Sequence, residues 1–435
     1  MTMEGHGAGD LNELSASEIA RRVAGGEITA EAVIKDCLVR IKARENVVHA
    51  WAFLDPERAL GEARAIDGRA DKGPLAGVPV GVKDIIDTAD MPTEMGSSIY
   101  RGHRPGTDAS CVAMLRAAGA VILGKTVTCE FAGPVARETT NPHNPAHTPG
   151  GSSSGSAAAV ADMMCAAAFG TQTGGSVIRP SAYCGIVGFK PSFGAINRTG
   201  IKFAAESLDT IGLHTRTIDD VELLLHVLAA RKPAPRRADD APRRIGVCRT
   251  YMWDDGEPET RTVIEDAASR LAAAGCDMRD VALPADFADL SQAREVVNDY
   301  ERARAMADEW NRHRGEISER MRRSIANGLG IPFDDYAAAR RAIESCASRL
   351  DSVFEGLDAL LTPSAHGVAP EGLEQTGHHG FQSIWTMVRT PAITLPTHAA
   401  ANGLPIGIQL VGRPGDDSDL LATARWVMDR LGRWR

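Results

Sequence analysis

No run of 18 apolar residues occurs in this chain, because Asp162 interrupts the best candidate. A helix that crosses a bilayer needs about 20 such residues, so no membrane-spanning role is expected. An excess of positive charge is also missing. Lys and Arg number 48 against 57 Asp and Glu, a formal net charge of −9. Nucleic-acid partners leave a cationic footprint, and none is seen here. The eight cysteines include no Cys-x-x-Cys pair, and several sit in apolar settings such as Met164-Cys165-Ala166 and Val247-Cys248. That usage predicts buried, reduced thiols in a cytoplasmic protein rather than a disulfide framework. The first ten residues lack the basic and apolar regions of a secretory leader. Among the 12 histidines there is no His-Glu-x-x-His. His378 and His379 are adjacent and diverge on any regular element, while His143 and His147 sit among prolines, so neither a metal site nor a cofactor is expected.

What is present is an ordinary globular composition, 43% apolar and 24% charged, over 435 residues. Length alone suggests two or three domains. Residues 1–10 read as a disordered, Gly-rich start. Ser15 to Glu18 reads as a helix start that Gly25-Gly26 ends, and a second helix opens near Thr29 with Val33, Cys37 and Ile41 on one face. A further helix is expected over 56–71. Val78, Val80 and Val82 alternate with Pro79, Gly81 and Lys83, the period of a strand. On that strand Lys83 and Asp84 point to opposite faces, so Asp84 is expected to bond backbone beyond the strand rather than to pair with Lys83. A helix over 108–118 and a strand over 120–123 form an αβ step. Together these predict an α/β fold, a sheet with helices on both faces. Residues 232–244 read as a surface linker, followed by a βα unit (244–281) and a charged helical stretch to about 354. Apolar strands return at 392–396 and 406–411. The helical segment, about 232–355, is expected to elaborate one fold.

The densest chemistry lies in two Gly-Gly-Ser turns that place Ser152 and Ser176 24 residues apart, bracketing a small-residue segment of helical length. A serine hydroxyl is a poor nucleophile until a base takes its proton. Glycines ahead of Ser176 let successive backbone N–H groups converge where an oxyanion can sit. Ser152 is also placed to cap the helix that follows it. Two literal pattern matches do not survive their context. Gly119 to Thr126 fits a P-loop string, but its spacer Ala-Val-Ile-Leu reads as the strand itself, which leaves no free amides for phosphate. Gly151-Ser152-Ser153-Ser154-Gly155 fits a nucleophile elbow, but three prolines precede it where a central strand is required.

The two serine turns and five further strings, in order, resemble the amidase signature family, the Ser-cisSer-Lys hydrolases of carboxamides. The five are Gly-Val-Pro-Val-Gly-Val-Lys-Asp (77–84), Gly-Phe-Lys-Pro-Ser-Phe-Gly (188–194), Ser-Leu-Asp-Thr-Ile-Gly (207–212), Leu-Leu-Thr-Pro (360–363) and the 403–412 segment. The resemblance implies one amidase domain over about 11–430, built on a mixed, twisted central sheet. It implies Ser176 as nucleophile, Ser152 after a cis peptide bond as proton bridge, and Lys83 as base. It also implies an oxyanion hole from the N–H groups of Thr173, Gly174, Gly175 and Ser176, with Thr171 supporting the relay. Holding a lysine neutral at pH 7 costs roughly 4–5 kcal/mol, which the apolar setting of Lys83 suits. Most relatives carry Asp where this chain has Gln172, and an arginine one position earlier than Arg179. The strings at 83–97 and 170–180 are similar to those of bacterial malonamidases. That likeness implies a small amide substrate bearing a carboxylate, anchored by Arg179, with a structural ion pair as the competing role for that arginine. Carboxybiuret-type hydrolysis in s-triazine breakdown and the glutaminase subunit of a tRNA-dependent amidotransferase are the alternatives. A homodimer is expected from the resemblance.

Overall fold

The computed structural model describes residues 10–133, 135–231 and 243–434. Most of the segments expected to be a disordered start and a surface linker lie outside the described residues. Eleven strands form a single mixed sheet: β1 (Trp51–Leu54), β2 (Pro79–Lys83), β3 (Val121–Thr126), β4 (Ala167–Gln172), β5 (Val187–Lys190), β6 (Thr210–Thr215), β7 (Arg244–Val247), β8 (Asp277–Asp280), β9 (Ala359–Pro363), β10 (Ala392–Ala399) and β11 (Pro405–Val411). Their order is β1-β3-β2-β4-β6-β5-β10-β11-β9-β7-β8. β2 runs parallel to β3 and β4, whereas β4 is antiparallel to β6 and β10 to β11. The expected mixed α/β sheet with helices on both faces is what forms, and strands β7 and β8 of the 244–281 unit extend that same sheet.

Local rules explain the framing elements. Ser15 accepts a hydrogen bond from the Glu18 N–H and opens the helix Ala16–Ala24, which Gly25 closes. Val33, Cys37 and Ile41 lie buried along the helix Ala30–Val48. The helix expected over 56–71 stops at Asp67, where Gly68 takes the cap position. All eight cysteines are free and buried. No described helix is long and apolar enough to cross a membrane.

The charged stretch folds as helices, chiefly Leu290–Ala305, Glu319–Gly330 and Phe333–Ala347. A separate apolar cluster of Met95, Phe131, Ala303, Met306, Met321 and Ile325 seats the first two on the segments that follow β2 and β3. Each buried Met, Phe or Ile of this cluster contributes about 1.5–3 kcal/mol. Polar contacts fix the same seam. Glu309 receives the Lys202 ammonium at 2.5 Å and the Tyr100 hydroxyl at 2.6 Å, and Glu130 accepts the Ser318 N–H at 3.1 Å. These helices therefore roof the ends of β2, β3 and β4.

Candidate active site

Lys83 is the last residue of β2 and is wholly buried. Its Nζ lies 2.9 Å from Ser152 Oγ and 2.8 Å from Thr171 Oγ1, with the Thr171 carbonyl at 3.4 Å. Thr171 stands near the end of β4, the parallel neighbour of β2, so the register of two strands sets this contact. Burial in a pocket without a paired carboxylate pushes the Lys83 amine down to about 7. Asp84 turns away, as its alternation with Lys83 predicts. It accepts the Glu94 N–H and lies 3.3 Å from Lys125 Nζ.

Ser152 follows a cis peptide bond from Gly151. Its loop is tied to the end of β3, since Cys129 N–H donates to the Ser152 carbonyl at 3.2 Å and Gly155 N–H to the Val127 carbonyl at 3.1 Å. Gly155 is required there: a Cβ would stand 2.2 Å from the Ala50 carbonyl oxygen. The cap expected of Ser152 is not observed. Ser153 occupies the cap position of the helix Ser154–Ala161 without a side-chain cap bond. Ser153 Oγ instead meets the Thr171 carbonyl and N–H, at 3.4 and 3.3 Å, and the Ser152 hydroxyl faces Lys83.

Thr173, Gly174, Gly175 and Ser176 form the turn between β4 and the helix Ile178–Tyr183, and Ser176 is half-buried on the cavity wall. Gln172 braces this turn. Its Oε1 accepts the Val177 and Ile178 N–H groups at 2.9 and 3.1 Å, and its Nε2 donates to Thr386 Oγ1 at 3.0 Å. Thr386 Oγ1 donates in turn to the Gly174 carbonyl at 3.0 Å. The Gly175 carbonyl is occupied as well, accepting the Arg179 N–H at 3.0 Å. Thr173 Oγ1 bonds Asp209, which also accepts the Ala204 and Ala205 N–H groups. Gly175 admits close packing, since a Cβ would fall 2.6 Å from Gln382 Oε1.

Arg179 is buried and bonds the Gly151 carbonyl at 2.6 Å and Thr376 Oγ1 at 3.1 Å, both through Nη2. Its Nε and Nη1 have no partner among the described residues, and no described carboxylate lies within 4.0 Å of its guanidinium. The structural ion pair is thus absent among the described residues, while two buried donors remain for a ligand. The cavity measures about 620 Å³. It is walled by the Thr173–Ser176 turn, Arg179, His378 and His379, and roofed by Arg294, Asn298 and Arg302. Sequence reasoning missed the roof. The signal was available in principle, since 294, 298 and 302 stand four apart on one helix face. The P-loop string stays structural: Gly124 to Thr126 lies within β3, and Lys125 is buried there. Among the described residues no group of three His, Cys, Asp or Glu is arranged to hold a metal.

Residues 32–421 match the Amidase family. The chain belongs to the amidase family. This amidase is 33% identical to a glutamyl-tRNA(Gln) amidotransferase subunit from Cereibacter sphaeroides, over 97% of this chain and 98% of that one. A solved structure described as an amidase superimposes with a TM-score of 0.89 at 30% identity, covering 96% of this chain and all of the other. Another, described as revealing the evolutionary origins of an s-triazine catabolic enzyme, gives 0.87 at 27% identity over 96% of this chain and 100% of its own. The family makes this amidase a hydrolase of amide C–N bonds. The matches carry the reaction class and not the substrate.

Proposed function

We propose that this chain hydrolyses a small carboxamide that bears a carboxylate, of the malonamate type, through an acyl-enzyme on Ser176. The Ser176 hydroxyl attacks the amide carbonyl while its proton passes to Ser152, and the Ser152 proton passes to the neutral Lys83 amine. The N–H groups of Thr173, Gly174, Gly175 and Ser176 take the charge that develops on the carbonyl oxygen. The ammonium formed at Lys83 returns a proton through Ser152 to the leaving nitrogen, and the C–N bond breaks. A water molecule then releases the acid by the same relay. Thr171 orients the Lys83 amine, and Arg179 holds the substrate carboxylate with the donors that lack a partner.

One observation carries this reading. A fully buried lysine has its amine brought down to about 7 and set 2.9 Å from the Ser152 hydroxyl. A base poised near neutrality is what general-base catalysis needs. Mass spectrometry of a trapped acyl-enzyme tests it: Ser176→Ala is expected to abolish the adduct, and an adduct that persists elsewhere refutes the assignment. Arg179→Ala is expected to lower kcat/KM on malonamate by about 10–100-fold, the range of a charged hydrogen-bonded contact, and to spare neutral amides. Equal loss on both removes the anchor.

The likeness to amidotransferase subunits favours a second reading, a glutaminase component of a larger assembly. Glutamine turnover with gel filtration of the purified chain separates the two. The s-triazine neighbour favours a carboxybiuret-type substrate, which the same assay series includes. A cytoplasmic homodimer, with residues 11–430 as one domain, completes the proposal.

A further inference from the structure

The roof of the cavity holds a second cationic feature that the proposed chemistry leaves unused. Arg294 projects from the helix Leu290–Ala305 over the Gly174 turn. A Cβ on Gly174 would stand 3.1 Å from its Nη2. Among the described residues its Nε has no hydrogen-bond partner, and no carboxylate lies within 4.0 Å of its guanidinium. Arg302, two turns further along the helix, bonds Asn298 Oδ1 at 3.2 Å and Met321 Sδ at 3.3 Å and is likewise without an ion pair among the described residues. Elsewhere in the chain several arginines are ion-paired, while buried Arg216 bonds backbone carbonyls. Arg58 and Arg116 share Glu62 and Asp90, and Arg40 and Arg44 share Asp162.

The roof arginines feel nearby carboxylates but touch none of those described. Of the carboxylates on the cavity wall, Asp299 accepts the Ser324 hydroxyl at 2.6 Å and Glu295 is exposed; both act on Arg294 through space, and neither forms an ion pair with it among the described residues. His379 lies close to both Arg179 and Arg294, whose charges, with burial, hold its ring well below the usual imidazole range and therefore uncharged. Burial and the neighbouring Arg302 bring Arg294 down to about 10, so it remains a cation at neutral pH. Size points the same way. A cavity of about 620 Å³ suits ligands much larger than malonamate, which has about seven heavy atoms.

Resting on the amidase reading above, we infer that the substrate carries two acidic groups: one held by Arg179 beside the nucleophile and a second held by Arg294 from the roof helix. The enzyme is then selective for diacid amides, and Arg294 sets that selectivity.

Two probes extend malonamate by one carboxymethyl group, on the amide nitrogen (malonylglycine) or on the α-carbon (2-carbamoylsuccinate). At least one is expected to exceed malonamate in kcat/KM by tenfold or more. Arg294→Gln is expected to cost that diacid at least ten times more than it costs malonamate, mostly in KM. Preference for neither diacid, or equal losses on diacid and monoacid, overturns the inference. Should Arg294→Gln fail to fold, calorimetry on Ser176→Ala carries the test, comparing malonate with propane-1,2,3-tricarboxylate. Tighter binding of the tricarboxylate, weakening steeply with salt, is expected, and equal affinities overturn the inference. Turnover that survives in Ser176→Ala sinks the nucleophile assignment instead, and leaves the anion preference to be judged separately.

Discussion

Lys83 and Lys125 stand on neighbouring strands, one register position apart, and both are wholly buried. Lys125 faces Asp84 at 3.3 Å, the Thr93 hydroxyl at 2.5 Å and the Pro92 carbonyl at 3.2 Å. Lys83 faces two hydroxyls and a carbonyl, with no carboxylate in contact among the described residues. Burial works against the ammonium in both, but at Lys125 the charge of Asp84 opposes it. A third buried lysine, Lys190, is also brought down to about 7, yet among the described residues it meets only the Pro191 and Thr390 carbonyls. Carbonyls accept hydrogen bonds and give no proton. A depressed lysine becomes a base only where a hydroxyl stands in front of it and no carboxylate holds its proton; Lys190 lacks the hydroxyl, and Lys125, though lowered and in contact with the Thr93 hydroxyl, is held beside Asp84.

Four experiments can break or sharpen that contrast. Lys83→Met is expected to lower kcat/KM on the best amide by about 10²–10⁴-fold, the range for loss of a general base, with the fold intact by circular dichroism. Lys125→Met is expected to do the reverse. It leaves Asp84 buried without its cation and costs about 3–5 kcal/mol in denaturant unfolding, while activity per folded molecule stays within a few-fold. If Lys125→Met proves the more damaging to turnover, the division of roles fails.

The third concerns pH and stability. The amine of Lys83 titrates near 7 in the fold against 10.5 in its ordinary state. Between these values the unfolded chain binds more protons, so this group adds stability as pH rises and withholds it below 7. Lys83→Met is therefore expected to melt higher than the parent at pH 6, by an amount on the order of a few kcal/mol, and the gap should narrow toward pH 10. A gap that widens with pH contradicts a neutral buried amine. For the parent enzyme the same titration predicts a kcat/KM that climbs through about pH 7 and levels above it, as the base loses its proton. Fourth and smallest, Thr171→Val removes one acceptor from the amine. Acceptors favour the charged form, so the half-point of that pH profile is expected to move lower by up to about one unit. An unchanged or higher half-point denies Thr171 its part.

Much of this was readable beforehand, and for physical reasons. Strand alternation at 78–83 placed Lys83 and Asp84 on opposite faces, and the structure keeps them apart. Apolar spacing on the second helix named Val33, Cys37 and Ile41 as its buried face. The Ala-Val-Ile-Leu spacer correctly argued against a phosphate loop, because its amides belong to β3. Local signals failed where distant segments decide. Ser153 takes the cap position expected of Ser152, because the Ser152 side chain is engaged by a lysine 69 residues away in sequence. Gln172 looked like a mere departure from a family pattern, whereas its side chain reaches Thr386, 214 residues on. The roof arginines were not identified because a stripe of charge at helical spacing usually marks a solvated face. Only the apolar seam around Met306 and Met321 shows which side is turned inward.

That seam divides labour in the molecule. The proton path is assembled by strands and their connecting turns, whereas the ceiling above it is delivered by one remote pair of helices, clasped through methionines and two sheltered glutamates. A change of side chain on the ceiling alters which molecules are admitted and leaves the bond-breaking floor as it was. Selectivity can therefore drift, or be redesigned, by exchanging positions along residues 290–330 alone, and a new substrate need not be bought with a new catalyst.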